Sequence, residues 1–256
     1  MSSHTSETKI GFLGKLIVEA DLTCETGLHI GAGKTTLEIG GADNPVVKNS
    51  FGQPYIPGSS LKGAMRHALE RSLGLLSKEN ELVHISRRRG QEVRIHQSDR
   101  PDDEICLLFG SGNRGSRLTV LDATLQADSI TSEMREYLED ELTEVKSETA
   151  IDRLTAQSST RTLERVPAGS KFKVRMIIDL LCEEDKELLP LVTQALRLVE
   201  DSGLGGGRSR GSGIVRFSNL KATWRSKDYY SSGGEAKEVA AAPDLGALNY
   251  GAAELS

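Results

Sequence analysis

The sequence predicts an α+β fold in which helices cover one face of a largely antiparallel sheet. Segments with the composition of strands alternate along the chain with segments of helical apolar spacing. Long polar insertions separate several of these segments, and the 256 residues suffice for a large domain with an ample core.

Four segments are predicted to be strands. The first, KLIVEADLTC, is rich in Val, Ile and Leu and alternates in part between apolar and polar residues. The others have similar compositions and lie between long connections. The four strands are expected at residues 15–24, 117–125, 170–181 and 213–224.

Three segments are predicted to be helices. The first begins at Ser59 or Ser60, either of which is a good N-cap, and continues to about Leu73 with apolar residues on one face. The second is acidic, covers residues 132–146 and has an apolar stripe. The third covers about 190–201, because a proline is tolerated in its first turn and a glycine ends it.

The predicted organisation has three parts. Residues 1–14 form an N-terminal arm, and residues 15–225 form the folded domain. Insertions are expected within it at about 77–105 and 147–170, where the sequence is polar without a sustained period. Residues 226–256 are rich in Gly, Ala and Glu, and we expect a disordered tail there.

Composition restricts the class of partner. The net charge is −5, but residues 133–148 hold seven acids and two cations and account for all of it. Elsewhere cations gather in short clusters, which suits an anionic partner such as a nucleic acid, although a solvated face is the alternative for any one cluster. Aromatic residues make up only 4%, which argues against recognition of single strands by stacking.

The same composition indicates a compartment. Three cysteines far apart fit a reducing cytosol better than a disulfide framework. There is no run of eighteen apolar residues and no hydrophobic signal segment at the N-terminus. We therefore expect a cytoplasmic protein without a membrane partner.

The run from Ile39 to Arg66 carries the strongest functional signal. Asp43 follows a Gly-Gly-Ala lead-in, where little bulk obstructs a ligand. Lys62 and Arg66 share one face of the first helix, near an N-terminus that favours anions. An acid on a loop beside a cationic helix start suggests a phosphate backbone and a group that could cut it.

Three further segments could contact nucleic acid. GLGGGRSRGSG at 203–213 has six glycines in eleven residues, which allow close backbone approach, although a flexible hairpin loop is the alternative. The polar segment 152–172 could be a protruding hairpin or an ordinary surface loop. His29 is either a buried structural histidine or a contact to phosphate. The arginines of the two segments are Arg153, Arg161, Arg165, Arg208 and Arg210.

Other site types are disfavoured. GLHIGAGKTT resembles a phosphate-binding loop, but Leu28 stands where the pattern needs its first glycine, so we reject an ATPase. His84, His96 and Cys106 could be zinc ligands, yet the close ligand pairs of structural zinc sites are absent, and a polar insertion is the preferred interpretation. No HExxH motif is present.

Six motifs in order carry a resemblance to a known family. Together they resemble the repeating backbone subunit of the type III-A CRISPR effector, the Csm complex, within the RAMP superfamily. The similarity covers about residues 17–217. The motifs are CETGLHIG, IGGADNPVV, PYIPGSSLKGAMR, LFG, DRLTA…ERVPAGSKF and LGGGRSRGSG.

The resemblance implies an RRM-like, ferredoxin-like antiparallel sheet covered by helices, with an inserted thumb hairpin. It implies copies that stack along a guide RNA, beside other subunits of the effector, and that cut the paired target RNA at regular intervals. Asp43 matches the catalytic acid of a reaction that depends on a divalent metal ion, for which Mg²⁺ is the expected cofactor.

The resemblance also assigns contacts to RNA. Lys62, Arg66 and the 205–213 loop, with Gly205, Gly206 and Gly207, match guide-binding positions, and residues 152–165 match the thumb. Some relatives carry a zinc site before LFG. Here Ser98 and Asp103 stand where further ligands would be, so we expect that site to be eroded.

One alternative stays open at this point. The chain could be a purely structural RNA-binding subunit without its own cleavage activity, in which Asp43 only shapes a turn.

Overall fold

The computed structural model describes residues 11–32, 42–76, 83–88, 91–98, 100–138, 142–251 and 255. The strands are β1 Gly14–Cys24, β2 Tyr55–Ile56, β3 Val83–Arg88, β4 Gln91–His96, β5 Leu118–Val120, β6 Ala123–Gln126, β7 Glu144–Ile151, β8 Ser158–Arg165, β9 Lys171–Leu180, β10 Val215–Ser226 and β11 Lys237–Asp244. The helices are α1 Gly58–Ser72, α2 Glu104–Phe109, α3 Ser132–Arg135, α4 Leu189–Ser202 and α5 Lys227–Ser232.

A seven-stranded antiparallel sheet forms the centre of the described structure. Its order is β11-β10-β1-β9-β6-β2, and β5 also pairs with β9. Alternate residues of β1, β9 and β10 are buried on one face, as the strand period of two requires. The predicted strands at 15–24, 170–181 and 213–224 are therefore confirmed, and the chain has the expected antiparallel α+β architecture.

Helices α1 and α4 pack on the buried face of this sheet. Leu61, Met65 and Leu69 of α1 are fully buried at helical spacing. In α4 the buried residues include Val192, Leu196 and Val199, and Pro190 stands in the first turn as expected. Among the described residues, no helix is long and apolar enough to cross a membrane.

The N-terminus of α1 differs from the prediction. Neither Ser59 nor Ser60 caps it, because the helix begins at Gly58 after Pro57. The Gly58 N–H donates instead to Asp122 Oδ1 at 2.7 Å, so an internal carboxylate takes the position that we expected for a phosphate. Only glycine fits there, since a Cβ would lie 2.1 Å from the Val120 carbonyl oxygen.

The expectation of a disordered tail is wrong. Residues 227–232 form α5, and β11 pairs with β10 at the edge of the sheet. Beyond β11 the chain contributes buried side chains to the core, and Arg197 of α4 donates a hydrogen bond to the Leu245 carbonyl at 2.7 Å. These buried residues are Leu245, Leu248, Tyr250 and Leu255.

Two local predictions also need correction. The acidic helix predicted over 132–146 is limited to Ser132–Arg135, and Val145 belongs to β7, where pairing with β8 replaces helical hydrogen bonds. The strand predicted over 117–125 is divided into β5 and β6. The insertions at about 77–105 and 147–170 contain antiparallel hairpins, β3–β4 and β7–β8.

Candidate RNA interface

Asp43 lies against strand β8 of the β7–β8 hairpin. Its Oδ2 accepts hydrogen bonds from the Thr162 backbone N–H at 2.8 Å and from the Thr162 hydroxyl at 3.0 Å. The Asp43 backbone N–H donates to Thr162 Oγ1 at 2.9 Å. An exposed loop acid is thereby fixed to a strand that is 119 residues later in the sequence.

The Asp43 carboxylate is exposed and ionised at neutral pH. Its hydrogen bonds from the backbone and side chain of Thr162 lower the pKa of the carboxyl group below its usual value. Its second oxygen, Oδ1, accepts no hydrogen bond from any described residue. This oxygen could bind a cation or a substrate group, because nothing in the described protein competes for it.

Glu164 anchors the rest of the Asp43 segment. This carboxylate is buried and accepts hydrogen bonds from the Val46 N–H at 2.8 Å and the Thr143 hydroxyl at 2.7 Å. Lys48 pairs with it at 2.8 Å. Asn44 also forms a parallel bridge with Leu163, so the segment follows β8 as an added piece of sheet.

His29 connects the hairpin to the glycine-rich loop. Its Nδ1 is 2.8 Å from the Glu164 carbonyl oxygen, and its own carbonyl accepts a hydrogen bond from the Gly206 N–H at 2.8 Å. A Cβ at Gly205 would lie 2.2 Å from that same carbonyl oxygen. The glycines are therefore needed for close approach to residue 29, a reason that the sequence alone could not supply.

Two adjoining clefts lie between α1 and the glycine-rich loop. Their volumes are about 850 and 480 Å³, and both are lined by Ala64, His67, Gly205 and Arg208. Arg71 and Asp201 also line the larger cleft, and His29 lines the smaller one. The described part of this surface thus combines two arginines, two histidines and several glycines.

His67 and Arg71 were missed by the sequence reasoning. Both are exposed on the face of α1 that lies away from Leu61 and Met65. Their spacing of four residues could have shown that they share a face with Gly63, but Lys62 and Arg66 have the same spacing. Spacing alone does not tell which pair faces the solvent.

The structure turns Lys62 and Arg66 toward the protein. Lys62 Nζ donates to Ser116 Oγ at 2.7 Å and to the Leu118 carbonyl at 2.6 Å, and burial lowers its pKa. Arg66 donates to the carbonyls of Gly110 at 2.9 Å and His96 at 2.6 Å. Their predicted contact with guide RNA is untested, and these bonds give both side chains a structural role.

The hairpin arginines divide into two groups. Arg153 and Arg161 are exposed and have no ion pair with another described residue. Arg165 bonds to Glu144 at 2.5 Å and to Ser212 of the glycine-rich loop at 3.3 Å. Arg210 of that loop pairs in turn with Glu148 of β7 at 3.2 Å. Hairpin and loop are therefore joined by charged side chains.

The tip of the hairpin presents an apolar side chain. Asp152 Oδ1 accepts hydrogen bonds from the N–H groups of Leu154 at 2.9 Å and Thr155 at 2.8 Å, which closes the turn. Leu154 is 97% exposed at this tip. An exposed leucine on a hydrogen-bonded turn is suited to insertion between stacked groups of a partner.

His96, Asp103 and Cys106 converge, with candidate ligand atoms within 4.8 Å of one another. Their contacts within the protein already use several of these atoms. Asp103 caps α2 by accepting from the Cys106 N–H at 2.8 Å, and its other oxygen is 2.7 Å from His96 Nε2. The side chain of His84 lies outside the described residues, as do Gly33, Lys34 and Thr35 of the candidate phosphate loop.

Charged side chains cross the open face of the sheet between its described central strands. Ion pairs cross it between β1 and β9, such as Lys15 with Asp179 at 2.5 Å and Lys173 with Asp21 at 3.1 Å. The aromatic residues Phe172, Phe217 and Trp224 are buried on the opposite face. Aromatic rings lie beside the open face at one end, where Phe12 packs edge to face against Tyr230 and the Lys15 ammonium lies 5.8 Å from the centre of the Phe12 ring.

Comparison with known proteins places these features in a family. The model of the RAMP superfamily matches residues 21–216. A CRISPR system Cms endoribonuclease Csm3 of Methanocaldococcus jannaschii is 39% identical over 88% of this chain and 87% of its own length. The Csm3 endoribonuclease of Mycobacterium tuberculosis is 36% identical over 81% of this chain and 88% of its own.

Solved structures agree with the sequence relatives. A chain from the crystal structure of the Csm3–Csm4 subcomplex of the type III-A CRISPR-Cas interference complex has a TM-score of 0.59 at 30% identity, covering 95% of this chain and 96% of its own. A chain from type III-B Cmr-beta bound to cognate target RNA has a TM-score of 0.57 over 82% of this chain and 61% of its own. At 16% identity the second likeness concerns the fold alone. The chain therefore belongs to the RAMP superfamily and, within it, to the family of the Csm3 proteins.

Proposed function

We propose that this protein is the guide-RNA-binding backbone subunit of a type III CRISPR interference complex and an endoribonuclease that cuts paired target RNA at regular intervals. The observation that carries the proposal is the exposed Asp43 carboxylate, fixed to the hairpin by Thr162 with one oxygen uncommitted. Its relatives at 36–39% identity are Csm3 endoribonucleases, which supports the same conclusion. Its partners are guide and target RNA, further copies of itself and other effector subunits in the cytoplasm.

The core is RRM-like in this proposal. The order β10-β1-β9-β6, with α1 after β1 and α4 after β9, supports a ferredoxin-like arrangement with two helices on one face. The β7–β8 hairpin is inserted before β9 and serves as the thumb. Leu154 at its tip would insert into the guide–target duplex and displace one base pair, with Arg153 and Arg161 meeting the phosphates.

Cleavage of the RNA backbone requires that a base pair be displaced. RNA is cut when a ribose 2′-oxygen forms a bond to the adjacent phosphorus while the bond from phosphorus to the 5′-oxygen breaks. Regular duplex geometry prevents the in-line approach that this attack requires, and a splayed nucleotide permits it. The hairpin that splays the target also carries Thr162, and so it brings the Asp43 carboxylate to the same nucleotide.

The residues at Asp43 fit a divalent metal ion. Mg²⁺ is held in proteins by one or two carboxylates together with substrate phosphates, and Oδ1 of Asp43 is a single uncommitted ligand of this kind. Bound there, Mg²⁺ would supply positive charge beside the scissile phosphate. An aspartate is ionised at neutral pH in any case, and the lowered pKa of Asp43 makes it a weak general base.

The guide is proposed to lie in the clefts between α1 and the glycine-rich loop. Arg71 and Arg208 supply cations there, His67 supplies a hydrogen-bond donor, and the glycines let a backbone approach. His67→Ala with Arg71→Ala should weaken guide binding for every sequence alike. The salt slope should flatten by about 0.7 for each single-strand phosphate contact that is lost. Unchanged binding and slope would remove the clefts as the guide site.

The proposed activity is tested with Asp43→Asn in the reconstituted complex. Asparagine keeps an oxygen acceptor for Thr162 but removes the charge, so guide and target binding should persist while evenly spaced target fragments disappear. Asp128→Asn, at an exposed acid outside the site, is the matched control and should cleave normally. Full cleavage by Asp43→Asn would remove Asp43 from catalysis.

A purely structural subunit is the second candidate. One observation favours it: the bonds between Asp43 and Thr162 are also those of a loop acid that shapes a turn. In that case the unaltered protein would yield no evenly spaced fragments, whereas guide binding would be intact.

A further inference from the structure

We propose that Thr162 is the positioning residue of the Asp43 site, holding one carboxylate oxygen so that the other faces the target RNA. This inference rests on the proposed function, because it assumes that Asp43 takes part in cleavage. It assigns a role to a residue of the hairpin that does not itself reach the scissile bond.

The geometry at Thr162 is reciprocal. Its hydroxyl accepts from the Asp43 N–H at 2.9 Å and donates to Asp43 Oδ2 at 3.0 Å, while its own N–H reaches the same oxygen at 2.8 Å. Backbone and side chain of Asp43 are thus both held. A carboxylate fixed at one oxygen has its second oxygen in a defined direction, and this is what a reacting group needs.

The neighbouring charges do not provide this positioning. Glu164 and Lys48 follow on the same two segments and pair with each other at 2.8 Å. Arg161 and Leu163 adjoin Thr162 in β8, and alternation along a strand directs their side chains to the opposite side. The bonds from Thr162 are also what lowers the pKa of Asp43. Thr162 therefore accounts both for the position of the Asp43 carboxylate and for its lowered pKa.

Thr162 and Glu164 act at two points on the same side of β8. Glu164 holds the backbone of the Asp43 segment through the Val46 N–H, and Thr162 orients the acid itself. When the hairpin enters the guide–target duplex and displaces a nucleotide, it would consequently bring Asp43 to that nucleotide. The segment that carries Asp43 would not have to move separately.

The test compares three variants in the reconstituted complex. Thr162→Val keeps the N–H and the β-branch but removes both bonds of the hydroxyl, and Thr162→Ser retains them. Thr124→Val makes the same chemical change at an exposed threonine of β6, outside both the hairpin and the clefts. Single-turnover cleavage, target affinity and the pH dependence of the rate are measured for each, and Thr162→Ala replaces Thr162→Val if the latter fails to assemble.

We expect Thr162→Val to lower the cleavage rate about 10- to 100-fold at unchanged target affinity. Since the ionised acid is required, the rate falls as the pH drops through the pKa of Asp43, and this fall should begin at a higher pH in Thr162→Val. Carbon NMR of the Asp43 carboxyl group in the free full-length subunit should show the same rise in pKa. Thr162→Ser should restore rate and profile, and Thr124→Val should match the unaltered protein.

Two results would overturn the inference: an unchanged rate and pH profile in Thr162→Val, or a serine variant as slow as the valine variant. They are distinguishable from failure of the proposed function. If Asp43→Asn cleaves normally, the proposed function itself is wrong. If Asp43→Asn is inactive and Thr162→Val is normal, only the role of Thr162 is refuted.

Discussion

Arg66 is expected to stabilise the fold, so that its replacement by alanine should unfold the protein at lower temperature. The guanidinium joins α1 to two later segments through the carbonyls of His96 and Gly110, and it pairs with Glu70 at 2.7 Å. The side chain of Glu70 is 5% exposed, so the alanine variant leaves a buried acid and two carbonyls without their donor. Breaking such a buried pair costs about 3–5 kcal/mol.

Arg66 itself is 19% exposed, so we take the lower end of this range, about 3 kcal/mol. Each kcal/mol lowers the melting temperature of a domain of this size by about 2–4 °C, which gives a decrease of roughly 6–12 °C. Calorimetry of the free subunit measures it. His67→Ala, one residue further on the exposed face of α1, is the control and should change the melting temperature by less than about 2 °C.

The result that refutes this reasoning is a melting temperature of Arg66→Ala equal to that of the unaltered protein, together with loss of guide binding. Arg66 would then contact RNA as the family resemblance implied, and the bonds to His96 and Gly110 would contribute nothing measurable. Loss of stability together with intact guide binding by the folded fraction would confirm the structural role.

Two further predictions concern the glycine-rich loop and the C-terminal segment. Gly205→Ala should disrupt the loop and guide binding, because the added Cβ would lie 2.2 Å from the His29 carbonyl oxygen. In Gly211→Ala the Cβ meets open space, so this control should lose only about 1 kcal/mol of stability for its positive φ; equal melting and RNA-binding curves for the two variants would contradict the prediction. Leu245→Ala should lower the free energy of unfolding by about 2–5 kcal/mol in chemical denaturation, because the side chain is only 2% exposed. Glu235→Ala is the exposed control, and an unchanged free energy of unfolding in Leu245→Ala would show that the C-terminal segment is disordered after all.

Elements with a strong local pattern could be predicted from the sequence. Strands β1 and β9 and helices α1 and α4 each carry their apolar period within ten to fifteen residues, and burial follows that period closely. The cations of α1 were assigned to a surface from their spacing alone. Lys62 and Arg66 turn inward because carbonyl oxygens from residues 96–118 lie there, which no local pattern reveals.

The misjudged elements depend on distant partners. The sequence of β11, KEVAAAPD, has one β-branched residue and low strand propensity, and it becomes a strand because β10 offers an unpaired edge. Val145 ended an apolar stripe that looked helical, yet its segment pairs with β8. Asp43 itself could be found from its loop, whereas its partner Thr162 could not, because 119 residues separate them.

The 119 residues between Asp43 and Thr162 also determine when the site can form during synthesis of the chain. A growing chain that has reached only residue 161 contains Asp43 and all of α1, but not the threonine that orients the acid. Closing a contact of this length is slow compared with forming α1 from local contacts, so the acid is placed late in folding. Nascent and prematurely terminated chains would accordingly carry the acid without the bonds that hold it in place.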